Sequence, residues 1–345
     1  STNVNILISI ILIVLAIYFY KKNIKQIIKV NSLTIILSSL VVLIMTIKYK
    51  PNEDYGFYHL PYIINITSEK VIFGLSNLQT QFAWNSTWLN FSALLNLPIM
   101  SLKGTQLSNS ILYFLFSGLV LNKLFNKKKN TLSFFFLISL YFYIIVKYTR
   151  ISEHGFDLPA NLFLLLSIYY LIKLFEKNSD FEKNLSFFAI FSIFAVTIKL
   201  NTLVILLTIL VLIIHLIHKK YNFIKIFNLI IFLILFLGMW ITQQFIYTGC
   251  LSPFLEMTCF KSVEWFNPAL IESVHSATGS INKSYWQYEG TLTEAEYGKN
   301  FNWVPTWFNR NKIELGEHLI SILLPLFVLI LSNIKSFKKE GSNFT

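Results

Sequence analysis

Glu53 and Asp54 stand side by side in Lys50-Pro-Asn-Glu-Asp-Tyr-Gly-Phe-Tyr-His59, with an imidazole five residues beyond the second carboxylate. Burial and neighbouring cations set how tightly such a carboxylate holds a proton. A carboxylate in this position suits the removal of a proton from an acceptor hydroxyl or amine. His59 can donate to phosphate, ligate a metal or carry a proton. Tyr55, Phe57 and Tyr58 indicate a structured aromatic surface rather than a solvated turn. Asp54, Glu53 and His59 are therefore the candidate catalytic residues. If a divalent cation is used, Asp54 and His59 are its candidate ligands; no other cofactor is indicated. A plain acidic turn with a packed histidine is the structural alternative.

Four further groups could serve such a site. Tyr148-Thr-Arg150-Ile-Ser-Glu153-His154-Gly-Phe-Asp157-Leu-Pro159 carries a cation, acids and an imidazole. Asp157 and Pro159 suit the first turn of a following helix, so capping accounts for Asp157. Arg150, Glu153 and His154 have no such account and are candidate substrate contacts. Lys199, between two apolar runs, either snorkels or meets a lipid phosphate. Residues 71–97, wound as one helix, place Gln81, Asn85, Ser92 and Asn96 on one stripe and Trp84, Trp88, Phe91 and Leu95 on the next. That pattern fits a helix lying in a membrane interface, with Gln81, Asn85 and Trp88 able to meet sugar hydroxyls and faces. Trp303 and Trp307 suit either sugar stacking or interfacial anchoring.

The elements that position these residues must be membrane helices. Of 345 residues 54% are apolar and 13% charged, with mean hydropathy +0.58, whereas soluble domains carry about 25% charge. Apolar runs at 5–20, 33–49, 109–125, 131–147, 158–175, 185–200, 201–218, 226–247 and 317–334 predict about nine spans. Their continuity excludes a barrel's alternation. The first run, without a charged leader or a small-residue cleavage site, reads as a signal-anchor or first span. Connections after alternate runs hold 17 of the 29 basic residues but only Glu176, Asp180, Glu182 and Glu340 among acids. The +12 net charge is thus a topology signal and gives no reason to invoke nucleic acid. It places the short Lys-rich turns inside and two large loops, 51–108 and 248–316, outside. The fold class is all-α, a single polytopic transmembrane domain over 1–345. Cys250 and Cys259, nine residues apart in the second loop, suit a disulfide in an oxidising compartment, or two buried thiols. Phosphate-binding Gly loops, nucleophile elbows and zinc motifs are absent from the sequence.

With its acidic pair in the first outer loop and an interfacial segment after it, the chain resembles the GT-C superfamily of integral membrane glycosyltransferases. Protein O-mannosyltransferases and bacterial aminoarabinose transferases share this layout. Asp54-Tyr-Gly-Phe-Tyr-His-Leu-Pro61 is also similar to a stretch found in bacterial membrane proteins allied to that superfamily. The resemblance implies a polyprenyl-phosphate sugar donor, a glycan, lipid or protein acceptor, and a site on the extracytoplasmic face of a bacterial inner membrane. Glu53 and Asp54 match its acidic pair. The chain departs from the family pattern by one extra span before the acidic loop and by ending without a large carboxyl-terminal domain. A transporter or flippase for a lipid-linked glycan, or an assembly partner, is the alternative class. A flippase needs ionisable groups deep within several spans. Lys48, Lys147, Lys173, Lys199 and His215 instead lie near span ends.

Overall fold

The computed structural model describes residues 32–47, 54–69, 71–97, 100–125, 131–148, 155–176, 180–317 and 319–320. Among them the chain is helical, with only the isolated bridges Leu97–Ser101 and Cys250–Cys259. The helices are α1 (Ser32–Ile47), α2 (Leu60–Ser68), α3 (Thr87–Leu94), α4 (Leu102–Thr105), α5 (Ser108–Phe125), α6 (Leu132–Lys147) and α7 (Asp157–Leu174). They continue with α8 (Phe181–Ile198), α9 (Ile205–His218), α10 (Phe223–Thr248), α11 (Pro268–Lys283), α12 (Glu294–Tyr297) and a last helix, α13, over 304–317. Five stretches are long and apolar enough to cross a membrane: Leu102–Phe125, Asp157–Leu174, Phe181–Ile198, Leu200–His218 and Phe227–Thr248. α1 and α6 are apolar but shorter. The expected run 5–20 lies outside the described residues, and 317–334 almost entirely so.

The apolar runs close their backbone hydrogen bonds within each helix, the economical solution where no water is at hand. α7 and α8 pack along most of their length, with α6 and α10 against them and α1 against α5. Tyr113, Phe116, Leu137, Ile144, Leu162, Phe188 and Ile193 form the centre of this packing. The opposite helix faces remain exposed and apolar, as at Leu207, Leu210, Val211, Ile214, Ile234, Leu235 and Met239. An apolar surface of that extent fits contact with lipid.

At the Lys-rich end, acids close the helix termini. The Thr131 hydroxyl accepts from the Phe134 N–H, and the Glu176 carboxylate accepts from the Ser133 N–H and hydroxyl at 2.8 and 2.9 Å. Asp180 caps α8 through the Lys183 N–H. These contacts satisfy N-terminal amide donors and place negative charge at the positive ends of helix dipoles.

α9 ends there in a Schellman turn. The Tyr221 N–H donates to the Leu216 carbonyl and the Lys220 N–H to the Ile217 carbonyl, each at 3.0 Å. The left-handed position of that motif is usually glycine, yet Lys220 occupies it at φ 54°. A side chain there costs roughly 1–2 kcal/mol. The turn carries Tyr221 back onto Phe181 (ring centroids 5.3 Å apart), beside a cleft of about 360 Å³ between α8 and α10. Glu182, Ser186, Tyr221 and Asn228 line it toward the Lys-rich end, and Ile190 and Phe232 line it farther along the two helices.

Residues 71–97 do not form the single helix expected. Two 3₁₀ turns, Leu75–Asn77 and Thr80–Ala83, precede α3. Gly74 breaks the winding at φ 71°, and a Cβ there would stand 2.9 Å from the Trp265 Cβ. Its N–H donates to the Ile246 carbonyl at 2.9 Å. Close approach of the first large loop to Trp265 in the second therefore requires glycine at this point. Trp84, at φ −90° and ψ 65°, ends the second turn. The stripe of Gln81, Asn85, Ser92 and Asn96 is dispersed as a result, and Asn85, Trp88 and Ser92 face the protein interior.

The second loop, 249–303, is organised by local contacts. The disulfide Cys250–Cys259 closes its first turn. Asn267 caps α11 by accepting from the Ala269 and Leu270 N–H groups. Thr293 and Glu296 form a reciprocal capping box on α12. Tyr285, Tyr288 and Tyr297 pack together with ring centroids 4.6–6.3 Å apart. The Tyr297 hydroxyl donates to the Lys283 carbonyl at 2.8 Å.

Candidate functional site

Asp54 opens a helix whose first turn, Tyr55–His59, is wound as a π-helix: the Leu60 N–H reaches back to the Tyr55 carbonyl. Such widened turns recur at functional sites. Here the turn leaves Asp54 exposed and directs Tyr58 and His59 inward. The Tyr58 hydroxyl donates to the Asp54 carboxylate. Burial raises the Tyr58 pKa, and the Asp54 and Asp157 carboxylates raise it further. The phenol therefore keeps its proton and remains a donor. Two carboxylates from different helices flank this one hydroxyl.

His59 is 2% exposed. Its ring lies between Tyr58 (centroids 4.3 Å apart) and Phe156 (5.1 Å). It forms part of the floor beneath Asp54. Phe156 stands at the N-cap of α7, followed by Asp157 in the first turn. No side-chain cap bond forms at this terminus. Asp157 instead forms an ion pair with Lys199, which follows the last residue of α8. The Lys199 ammonium also sits 5.7 Å from the centre of the Phe156 ring, where the ring face attracts a cation. The expected capping role of Asp157 gives way to this pairing. Lys199, expected to snorkel or meet phosphate, is held beside α7 with its side chain 36% exposed.

One amide sets the height of the α7 terminus. Asn109, 3% exposed on α5, accepts from the Trp88 indole N–H and donates to the Gly155 carbonyl, both at 2.9 Å. Trp88 packs with Ala160 and Ile198 beneath Phe156. A second polar cluster adjoins this floor. The Tyr62 hydroxyl donates to Asn90 Oδ1 at 2.8 Å. Asn90 Nδ2 donates to Gln243 Oε1 at 2.8 Å, and Gln243 Nε2 to the Tyr247 hydroxyl at 2.8 Å. Asn85 joins through Gln243 at 3.3 Å. The cluster fastens α2 and α3 to the outer end of α10.

Asp54, His59, Asp157 and Lys199 thus meet at one end of the bundle. Asn85 and Trp88 lie beneath that site as buried supports, and Gln81 is half-buried in the adjoining 3₁₀ turn. Trp303 and Trp307 pack edge to face at 6.1 Å where the second large loop meets α13, within a separate aromatic group. Glu53, Arg150, Glu153 and His154 lie outside the described residues. Among the described residues no three His, Cys, Asp or Glu side chains converge as a metal site. Sequence reasoning places Tyr58 in a structured aromatic surface beside Asp54 but misses Phe156, Asn109, Asn90, Gln243 and Tyr247. Amides inside an apolar helix were the available signal for Gln243.

The arrangement offers an exposed carboxylate held by a phenol, with a cation on the far side of one aromatic floor. It can accept a proton at Asp54 and stabilise negative charge at Lys199. Residues 1–344 match the family model described as Domain of unknown function (DUF8201). No curated protein and no solved structure gives a significant match.

Proposed function

The chain belongs to the DUF8201 family, and we propose that its members of this form are membrane glycosyltransferases moving a sugar from a polyprenyl-phosphate donor to an extracytoplasmic acceptor. On this reading the fold is GT-C-like with about nine spans, and the site faces outward from a bacterial inner membrane. The supporting observation is the meeting of Asp54 with Asp157 and Lys199 over the His59–Phe156 floor. An exposed acid and a cation both stand at helix ends, where a lipid-linked donor and an aqueous acceptor can meet. This placement favours surface chemistry over a flippase, whose ionisable groups would line a path through the spans.

The transfer is a single displacement. The acceptor hydroxyl oxygen attacks the anomeric carbon and its proton passes to the Asp54 carboxylate. The bond from the anomeric carbon to the phosphate oxygen breaks, and its electron pair stays on the phosphate. Configuration at the anomeric carbon inverts. Lys199, turning from Asp157, meets the charge growing on the phosphate. Tyr58 holds Asp54 in place, and His59 supports Tyr58 by packing. The test is reconstitution of the chain in vesicles containing a radiolabelled polyprenyl-phosphate sugar. The expected result is release or transfer of label that depends on Asp54. Movement of intact donor between leaflets without cleavage would instead support the transporter.

A further inference from the structure

The cleft between α8 and α10 lies at the opposite end of the bundle from Asp54, and the proposed chemistry makes no use of it. Its lining is polar toward the Lys-rich end, at Glu182, Ser186 and Asn228, and apolar farther along the helices, at Ile190 and Phe232, so it matches a molecule with a polar head and a hydrocarbon tail. In the chain Lys183 follows the lining residue Glu182, and Lys219 and Lys220 immediately precede the lining residue Tyr221. These three cations outnumber the nearby acids Glu182 and Asp180, and Asp180 is engaged in capping α8. Basic pockets between spans at a Lys-rich membrane face suit anionic lipid headgroups.

Lys220 supplies the second observation. It occupies the left-handed position of the α9 Schellman turn, where glycine would remove the strain. A strained position occupied by a cation beside an amphipathic cleft points to use of that charge. Asn228, an amide in the second turn of α10, also lines the cleft. We propose that this cleft holds one anionic diacylglycerophospholipid bearing headgroup hydroxyls. Lys219 and Lys220 face its phosphate, Glu182, Ser186 and Asn228 bind its hydroxyls, and an acyl chain lies along Ile190 and Phe232. The site does not depend on the outer chemistry.

Native mass spectrometry of the full chain in detergent, titrated with phosphatidylglycerol or phosphatidylcholine, tests the assignment. One phosphatidylglycerol should bind at least about fivefold more tightly than phosphatidylcholine, the preference that one near-surface lysine provides. Lys220→Gly should weaken phosphatidylglycerol binding by about fivefold while raising or preserving the melting temperature. That split separates a ligand contact from a structural residue. Ser186→Trp, which fills the polar end of the cleft, should abolish the one-lipid adduct, while Lys261→Gly on the second outer loop should leave it intact. Equal binding of the two lipids overturns the proposal. So does unchanged affinity in Lys220→Gly, or an adduct that survives Ser186→Trp. Displacement by equimolar single-chain polyprenyl phosphate overturns the assignment of a diacyl lipid.

Discussion

The two large loops, 51–108 and 248–316, are held by different means among the described residues. In the first, buried side chains reach far along the chain. Ser76 donates to the Tyr247 carbonyl at 2.6 Å, Gln244 to the Ala83 carbonyl at 2.8 Å, and Ser92 to Ser108 at 2.8 Å. Asn109 then joins Trp88 to Gly155. The second loop mainly holds itself, through a disulfide, two capped helices and a tyrosine cluster. Its contacts elsewhere include Trp265 Nε1 on the Phe245 carbonyl, Lys147 with Glu314, and the first loop, where Asn77 donates to the Trp265 carbonyl and Ala83 packs on Leu270 and Val274. The difference separates roles. A group that must be placed accurately belongs where distant helices determine its position together, which is where Asp54, Asp157 and Lys199 stand. The surface of the second loop away from its contacts with Asn77 and Ala83 can change without moving the acid.

The largest effect should come from Asp54→Asn. It preserves size and most hydrogen bonding but cannot take the acceptor proton, so turnover should fall by roughly 10²–10⁴-fold. Insertion and donor binding should persist. Wild-type turnover in this variant sinks the assignment of the base. Lys199→Gln should follow, with a loss of about 10²–10³-fold if it carries the leaving phosphate's charge. If Lys199 serves only to pair Asp157, Asp157→Asn should reproduce the same loss, and comparing the two rates decides the matter.

Asn109→Leu attacks the interlocking itself. It strands the Trp88 indole N–H and the Gly155 carbonyl, each at a cost of about 1–3 kcal/mol. Melting temperature and turnover should both fall, although residue 109 touches neither Asp54 nor Lys199. The smallest effect on the site should come from Cys259→Ser. Opening a ring closed across nine residues removes about 2–3 kcal/mol on the chain-entropy account. That loss should be confined to the second loop, seen as faster proteolysis within 250–300 with turnover kept within a few-fold. A collapse of turnover in Cys259→Ser would show that the loops are not independent.

Seven of the apolar runs predicted helices that the structure contains, because a membrane span announces itself in continuous hydropathy. The disulfide was legible for a similar reason: two cysteines confined to one outer loop have few other fates. Residues 71–97 were misread because counting at 100° per residue cannot register Gly74 in a left-handed conformation or the break at Trp84. Trp88 and Asn85 accordingly seemed outward-facing and are buried. Asp157 was assigned to capping because its own helix was the only visible context. Its partner Lys199 lies 42 residues away, and local pattern carries no information on such a pairing. Convergence at the site is a property of tertiary packing, legible in part at Asp54 and Tyr58 and hidden at Phe156 and Asn109.

The separation of Asp157 and Lys199 also bears on how the chain is made. Segments leave the ribosome in order, so α5 with Asn109 is available before Gly155 and Asp157 are synthesised. Asp157 then waits at the membrane boundary until α8 is complete and Lys199 follows it. A carboxylate delivered ahead of its counter-charge favours insertion of α7 and α8 together, as one hairpin with both ionic ends on the same side. Stalling synthesis with α7 clear of the ribosome but α8 still in its exit tunnel should leave α7 poorly anchored, and lengthening the stalled chain until Lys199 has emerged should fix it in place.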